Sequence, residues 1–444
     1  MVFTASAGSS PASQNVRITN LSNQSLTISA KTLFVNGKNW FSETALAGVA
    51  TSAQPLTETV SVNASGLQPR VYLGTLDIHA AETGVDIPVE ILLVVSNPSC
   101  KPSRLLPVFT NLEGGFQRMA GFPVALEAQV VDDCGSPLNS GSVLAYFSGG
   151  DAPASLTAVG NGHWAASWAP RNLAGGATTV GILASSLTGL FGSAGVMGTL
   201  TANTNVPAIN VGGAVSAASL GAGLTISPGE FLSIFGSNLG VGTTFANSLP
   251  LPATLASTEV SLAGERLPLQ VTTSGQINAM VPYDSPVNTS QPLIVQRNGI
   301  YSLPEPVLIT EAHPGVFTQD QSGKGAGVII VVKPDGTQFL NTPTKPASAD
   351  DALVIYCTGL GAVKPTIAAG SAAPSSPPAK TVNPVTVSIG GVPATVLFAG
   401  LSPGFAGLYQ VNVRVPPGIT PGPSIPVIVS EAGQSGAPVT VAIH

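Results

Sequence analysis

The side chains able to do chemistry are few and scattered. Histidine occurs four times, as His79, His163, His313 and His444. No His-Glu-x-x-His, Cys-x-x-Cys or Gly-x-Ser-x-Gly pattern surrounds them, so neither a zinc-binding helix nor a nucleophile elbow is spelled out. Catalysis needs an acid, a base or a nucleophile converging in one pocket, and nothing here groups them. His313 precedes Pro314 and Gly315, where it reads as a turn or interdomain residue rather than a metal ligand. GKGAG at 323–327 lacks the Lys-Ser/Thr end and strand-to-helix setting of a phosphate loop. Adjacent acids occur only as Asp132-Asp133 and Asp350-Asp351, whereas calcium wants several carboxylates converging in one loop. No catalytic residue, metal or cofactor is therefore assigned.

Binding chemistry has more to work with. Gln276 and Asn278, and again Gln410 and Asn412, are two apart and so share one face of a strand. A polar pair repeated in this way is either a binding site or, the favoured reading, a pair of amides tying down the backbone of an adjacent loop. Trp164 and Trp168 are four apart and also share a strand face. They make either a sugar-stacking platform or, as favoured, a core plug and an edge cover, because Trp is usually buried. Trp40 and Phe41 are adjacent, and adjacent residues of an extended chain point to opposite faces. The larger ring belongs inside, which leaves Phe41 or Tyr72 as the surface aromatic of that region.

Three cysteines complete the inventory. Cys100 lies in SNPSCKPS and Cys134 in the turn DDCGSP, both placed to tie a domain's first strand to a neighbouring turn. Their bond would close a loop of about 33 residues and stabilise by about 3–4 kcal/mol in the chain-entropy model. Cys357, within LVIYCTGLG, reads as a small buried hydrophobe.

The elements that must position these residues are strands. Gly and Pro make up 88 of 444 residues and charged residues only 9%, while the hydrophobic fraction is 44%. That supplies cores but disfavours long helices. The net charge is −6 with no basic run, which disfavours nucleic acid as a partner. Residues 172–229 carry no charge. Within them Thr179 to Leu200 is apolar, but its serines and glycines make it two strands and a turn rather than a membrane span. MVFTASAGSS is not a signal peptide, so an exported protein would carry its signal outside this sequence.

Internal repeats set the domain plan. LSIFGSNLG at 232–240 aligns with LVIYCTGLG at 353–361, and VSLAG at 260–264 with VSIGG at 387–391. QINAMVP at 276–282 aligns with QVNVRVP at 410–416, and PLIVQRNG at 292–299 with PVIVSEAG at 426–433. The repeats predict equivalent buried sites for Ile234 and Ile355, Leu262 and Ile389, Val281 and Val415, and Ile294 and Ile428. Short alternating runs bounded by Gly, Pro, Asn or Ser predict sandwiches throughout. The expected units are 1–97, 98–205, 206–318 and 319–444, in an all-β chain of tandem immunoglobulin-like β-sandwiches strung out in an elongated row.

ISPGEFLSIFGSNLG, HPGVF, KPDGT, YCTGLGAV and GLYQVNVRVP resemble the Solibacter-type C-terminal domain family of secreted acidobacterial proteins. GEFLSIFGSNLG is also similar to the opening strands of IPT/TIG modules. NWFSETALAG, VSVNASGL, YLGTLDI and IPVEILLVV resemble a BACON-type domain, and VVDDCGSPLNSGSV with GHWAASWAP resembles an invasin-type bacterial immunoglobulin-like domain. The resemblance implies export, immunoglobulin-like folds and no catalytic residue to carry over. The BACON likeness also implies carbohydrate or mucin as a ligand class. The sequence thus leads to three expectations: non-catalytic adhesion or recognition at a cell surface, with glycans or an extracellular protein as partner; the accessory region of a larger secreted hydrolase; or a self-associating structural subunit. No membrane span is expected in any of them.

Overall fold

The computed structural model describes residues 1–20, 24–44, 47–221 and 225–444. Ala45 and Leu46 of the NWFSETALAG motif lie outside the described residues, as do 21–23 and 222–224. The chain is all-β and divides into two compact units, Met1–Asn203 and Thr204–His444. No helix among the described residues is long and apolar enough to cross a membrane.

In the first unit, one sandwich sets a five-stranded sheet against a three-stranded one. The larger runs in the order Val2–Ser6, Val85–Ser96, Arg70–Ala80, Leu26–Phe34, Ala47–Ala50, and the smaller in the order Gln14–Ile18, Leu56–Val62, Phe41–Glu43. The period of two is plain in Arg70–Ala80, where Tyr72, Leu76, Ile78 and Ala80 are buried in turn. The second sandwich is one continuous path of eight strands. It folds over at Ala154–Gly160, whose first half pairs with Ser142–Phe147 and second half with His163–Trp168, so one strand serves both layers. Thr179–Leu200 forms two strands joined by a turn, the hairpin Gly176–Ser185 and Phe191–Thr201.

Cys100 and Cys134 are disulfide-bonded, with Cα atoms 5.8 Å apart, while Cys357 is free and buried. The bond flanks a small apolar patch of Val2, Leu92, Val94, Val108 and Val131 contributed by both sandwiches. Asp133, next to Cys134, also holds the linker to the second sandwich by accepting the Ser103 N–H at 2.8 Å.

The second unit carries the internal repeat. In its first sandwich Ser233, Ile234 and Phe235 pair with Asn278, Ile277 and Gln276. In its second, Val354, Ile355 and Tyr356 pair with Asn412, Val411 and Gln410. The registers are the same, so the sequence blocks align residue for residue in space. Ile234 and Ile355, Leu262 and Ile389, and Val281 and Val415 are all buried. Ile294 and Ile428 also correspond, but both are only half-buried. Their neighbours Leu293, Val295, Val427 and Val429 take the inward positions, so the repeat is right and the inward face is shifted by one residue. Gly315–Val316 pairs with Ala352–Thr358 and therefore belongs to the last sandwich, a few residues ahead of the boundary expected at 319.

Candidate recognition cleft

The aromatic residues expected as ligand contacts are all in cores. Trp40 and Phe41 are both buried, with ring centroids 4.7 Å apart. Strict alternation fails there because Trp40 precedes the strand Phe41–Glu43 rather than lying in it. Its indole N–H donates to the Asn36 carbonyl at 3.0 Å. Tyr72 is buried too, and its hydroxyl donates to the Gln68 carbonyl. Trp164 and Trp168 share a face, as their spacing requires, and it is the inner face of the second sandwich: both are in the core, as favoured for one of them, and neither covers an edge. Trp164 donates to the Leu138 carbonyl, while Trp168 donates to Asp151 and stacks on Phe147 at 4.6 Å. None of these rings is offered to a ligand.

The amide pairs also act differently from the expectation. Gln276 Nε2 donates to Asn278 Oδ1 at 2.8 Å, and Gln410 Nε2 to Asn412 Oδ1 at 3.4 Å. They bind each other along the strand instead of holding a loop. Ser233 joins the first pair by donating to Asn278 Oδ1 at 3.2 Å. Asp132 and Asp133 spend their oxygens on the turn: Asp132 accepts the Cys134 and Ser136 N–H groups, and Asp133 those of Ser103 and Arg104.

The candidate site is a cleft of about 660 Å³ in the first unit, a volume within the range of ligand pockets. Both sandwiches build it. The first supplies Met1, residues 14–19, 87–90 and Ile78, while the second supplies 109–114, Gln129, His163 and Val196. Its polar groups are mostly neutral amides and hydroxyls, set among Val16, Ile18, Ile87 and Leu112. The charges are Arg17, Glu90 and Glu113, the last 3.3 Å from Arg118. His163 joins Glu127 through Nδ1 at 3.0 Å. The sequence hides this cleft because its three runs are brought together by the joint between two sandwiches, and no local pattern announces them.

Sequence reasoning also misses Tyr146. This residue is 45% exposed and pairs with Gly181 on the neighbouring strand. A Cβ at 181 would collide with the Tyr146 ring, so the phenol lies across the bare glycine backbone with its outer side in water. Gly195, Ser193 and Met197 extend this face, and the strands Ser142–Phe147, Gly176–Ser185 and Phe191–Thr201 contain no charged residue. The signal is an exposed aromatic position opposite a glycine, but the two lie on strands that only the fold makes adjacent.

Where the two sandwiches of the second unit meet, Glu230 and the nearby Glu431 are buried and His313 is half-buried. Glu230 is fully buried and accepts the Ser227 N–H at 2.8 Å, while His313 Nδ1 lies 3.0 Å from its other oxygen. Burial alone would lower the His313 pKa, but the hydrogen bond and charge of Glu230 win, and it rises. The His313 N–H donates to the Gly359 carbonyl, and the Phe231 N–H to Thr358 Oγ1 at 3.0 Å. His313 thus has the interdomain role expected of it. Gly359 is at φ +79°, and a side chain there would strike the His313 carbonyl. Glu431 is 2% exposed and neither carboxyl oxygen has a hydrogen-bond partner among the described residues. Burial pushes its pKa up to about 8, so it is a neutral acid over most of the physiological range. Burial, with the nearby Glu431 charge, also pushes the Cys357 thiol far up, leaving it unreactive.

No family model and no curated protein matches the chain. Among solved structures, an endo-fucoidan hydrolase from glycoside hydrolase family 107 is 14% identical over 70% of this chain and 43% of its own, with a TM-score of 0.19. The plexin A4 extracellular region is 10% identical over 96% of this chain and 47% of its own, with a TM-score of 0.20. The N-terminal eight immunoglobulin domains of Down syndrome cell adhesion molecule are 10% identical over 100% of this chain and 59% of their own, with a TM-score of 0.17. The chain spans less than two thirds of each. At these TM-scores the alignments decide nothing about function, and the architecture rests on the strands themselves.

Proposed function

We propose that this chain is a non-catalytic extracellular recognition protein, with the cleft of the first unit as its binding site and the remaining sandwiches as presenting modules. The observation that carries the reading is the cleft itself. Its walls come from two sandwiches that share an apolar patch and whose short linker is pinned to the second by a disulfide, so the site is largely formed before any ligand arrives. The disulfide favours an oxidising compartment outside the cytosol. The resemblance of the repeats to secreted Solibacter-type domains supports the same location. Glu113 pairs with Arg118 and His163 with Glu127, an arrangement suited to holding walls rather than to transferring protons.

A second reading is favoured by Tyr146. A phenol laid flat on an uncharged sheet matches the face of a neutral sugar ring, which would make this sheet the glycan-binding surface. Arrays of glycans, extracellular-matrix proteins and peptides, probed with the intact chain, test both readings. Thr110 is exposed on the cleft wall, so Thr110→Trp fills the cleft without entering a core. Loss of a ligand in Thr110→Trp supports the cleft, and loss in Tyr146→Ala supports the sheet. No ligand on any array overturns the recognition reading.

A further inference from the structure

The strand Gln14–Ile18 stands at the edge of the three-stranded sheet. It pairs on one side with Leu56–Val62, from Gln14 against Val60 to Ile18 against Leu56. No strand among the described residues pairs with its other side, and the whole run 14–19 lines the cleft. A row of backbone N–H and C=O groups therefore has no strand partner among the described residues, on a run that lines a preformed cavity. Such an edge is a template for another strand, because every group left unpaired on the ladder can be satisfied by an extended backbone.

We infer that the cleft takes an extended peptide of a partner protein, added as a strand alongside Gln14–Ile18. This rests on the cleft being the recognition site and names its ligand class. The side chains fit the geometry. Val16 and Ile18 are half-buried and point inward, so peptide residues opposite them are aliphatic. Arg17 is exposed on the other face with no ion-pair partner among the described residues, so the peptide residue beside it is Asp or Glu. Five paired residues span roughly 17 Å. The run 87–90 competes poorly: one edge is already paired with residues 75–78, and Pro88 has no N–H to offer a second strand. A sugar is the poorer fit here: Phe109, the aromatic residue of the lining, is buried and presents no ring.

The test selects binders from a random library of roughly 10-residue peptides against the intact chain, then follows amide hydrogen exchange with the selected peptide bound. Strand addition predicts that alternate amides within 14–18 slow by about tenfold or more. It also predicts that Arg17→Glu weakens the peptide by about two- to fivefold, and that replacing the peptide's acid with lysine restores binding to that variant. Arg17 is exposed, so the variant folds. Selected peptides that bind while exchange at 14–18 is unchanged overturn strand addition but leave recognition standing. Strand addition is likewise overturned, with recognition intact, if peptides fail while a glycan binds and is lost in Thr110→Trp. If peptides, glycans and matrix proteins all fail, the recognition reading falls as well.

Discussion

The two units each join a pair of sandwiches, and they do it with opposite chemistry. In the first unit the joint is five aliphatic residues from both sandwiches and a linker pinned to the second by a covalent bond, and beside it the surface parts into a cleft. In the second the joint is closed and ionisable: Glu230 with His313 inside the contact, Thr358 accepting from the Phe231 backbone, and Glu431, without a hydrogen-bond partner among the described residues, beside the turn 359–361. A covalent tie leaves neighbouring surface free for a ligand, whereas a buried polar joint spends its groups on holding itself shut. The first joint is therefore sensitive to reductant, whereas the second, which has no disulfide, answers to pH through Glu431 and His313.

The largest expected effect is in the second joint. Glu230→Ala leaves the Ser227 N–H without its acceptor and His313 without its partner, and should cost about 3–5 kcal/mol. Denaturant unfolding should show the loss in the second unit only; equal loss in both would break the contrast. Next, Cys100→Ser with Cys134→Ser should destabilise the first unit by about 3–4 kcal/mol, with reductant mimicking the variant on the wild-type chain. The second unit should be unmoved, since its one cysteine is free.

The pH dependence is smaller and has a definite sign. The folded-state pKa of Glu431 is raised from 4.5 to about 8, so the folded second unit holds a proton that the unfolded chain releases. Its stabilising effect is full below about pH 4.5 and is lost as the pH rises to about 8. His313, also raised, adds stability below its ordinary 6.5 that is lost at higher pH, in the same direction. The melting temperature of the second unit should fall by at least about 2–4 °C between pH 5 and 9, and Glu431→Gln should remove most of that slope. A flat profile, or one rising with pH, contradicts the closed-joint description. Smallest of all, Arg17→Glu should change stability by less than about 0.5 kcal/mol, because the side chain is exposed.

The strands and the repeat are legible because they are written in local pattern. Gln-x-Asn-x-x-Val-Pro occurs twice, and the two copies fall on the same register against Ser233-Ile234-Phe235 and Val354-Ile355-Tyr356. The pairing of Cys100 with Cys134 is legible because each sits in a turn-forming stretch flanking one sandwich. What a side chain does on its face is less legible. Spacing puts Trp164 and Trp168 on one face, but which face is inward depends on Ala128 and Val124 across the ladder. The cleft is illegible because residues 14–19, 87–90 and 109–114 meet only after two sandwiches have folded and docked. The unpartnered Glu431 gives no signal, since SEAG reads like any exposed hairpin turn until the 359–361 turn is set beside it.

The most direct test of the account is binding measured in parallel on the wild-type chain, Thr110→Trp and Tyr146→Ala, using whatever ligand the arrays return. The account predicts that filling the cleft with Trp at 110 abolishes binding at an unchanged melting temperature, and that removing the Tyr146 ring leaves it intact. Binding that survives Thr110→Trp and disappears in Tyr146→Ala would move the site to the open sheet and contradict the claim that the joint of the first unit was built around a cleft.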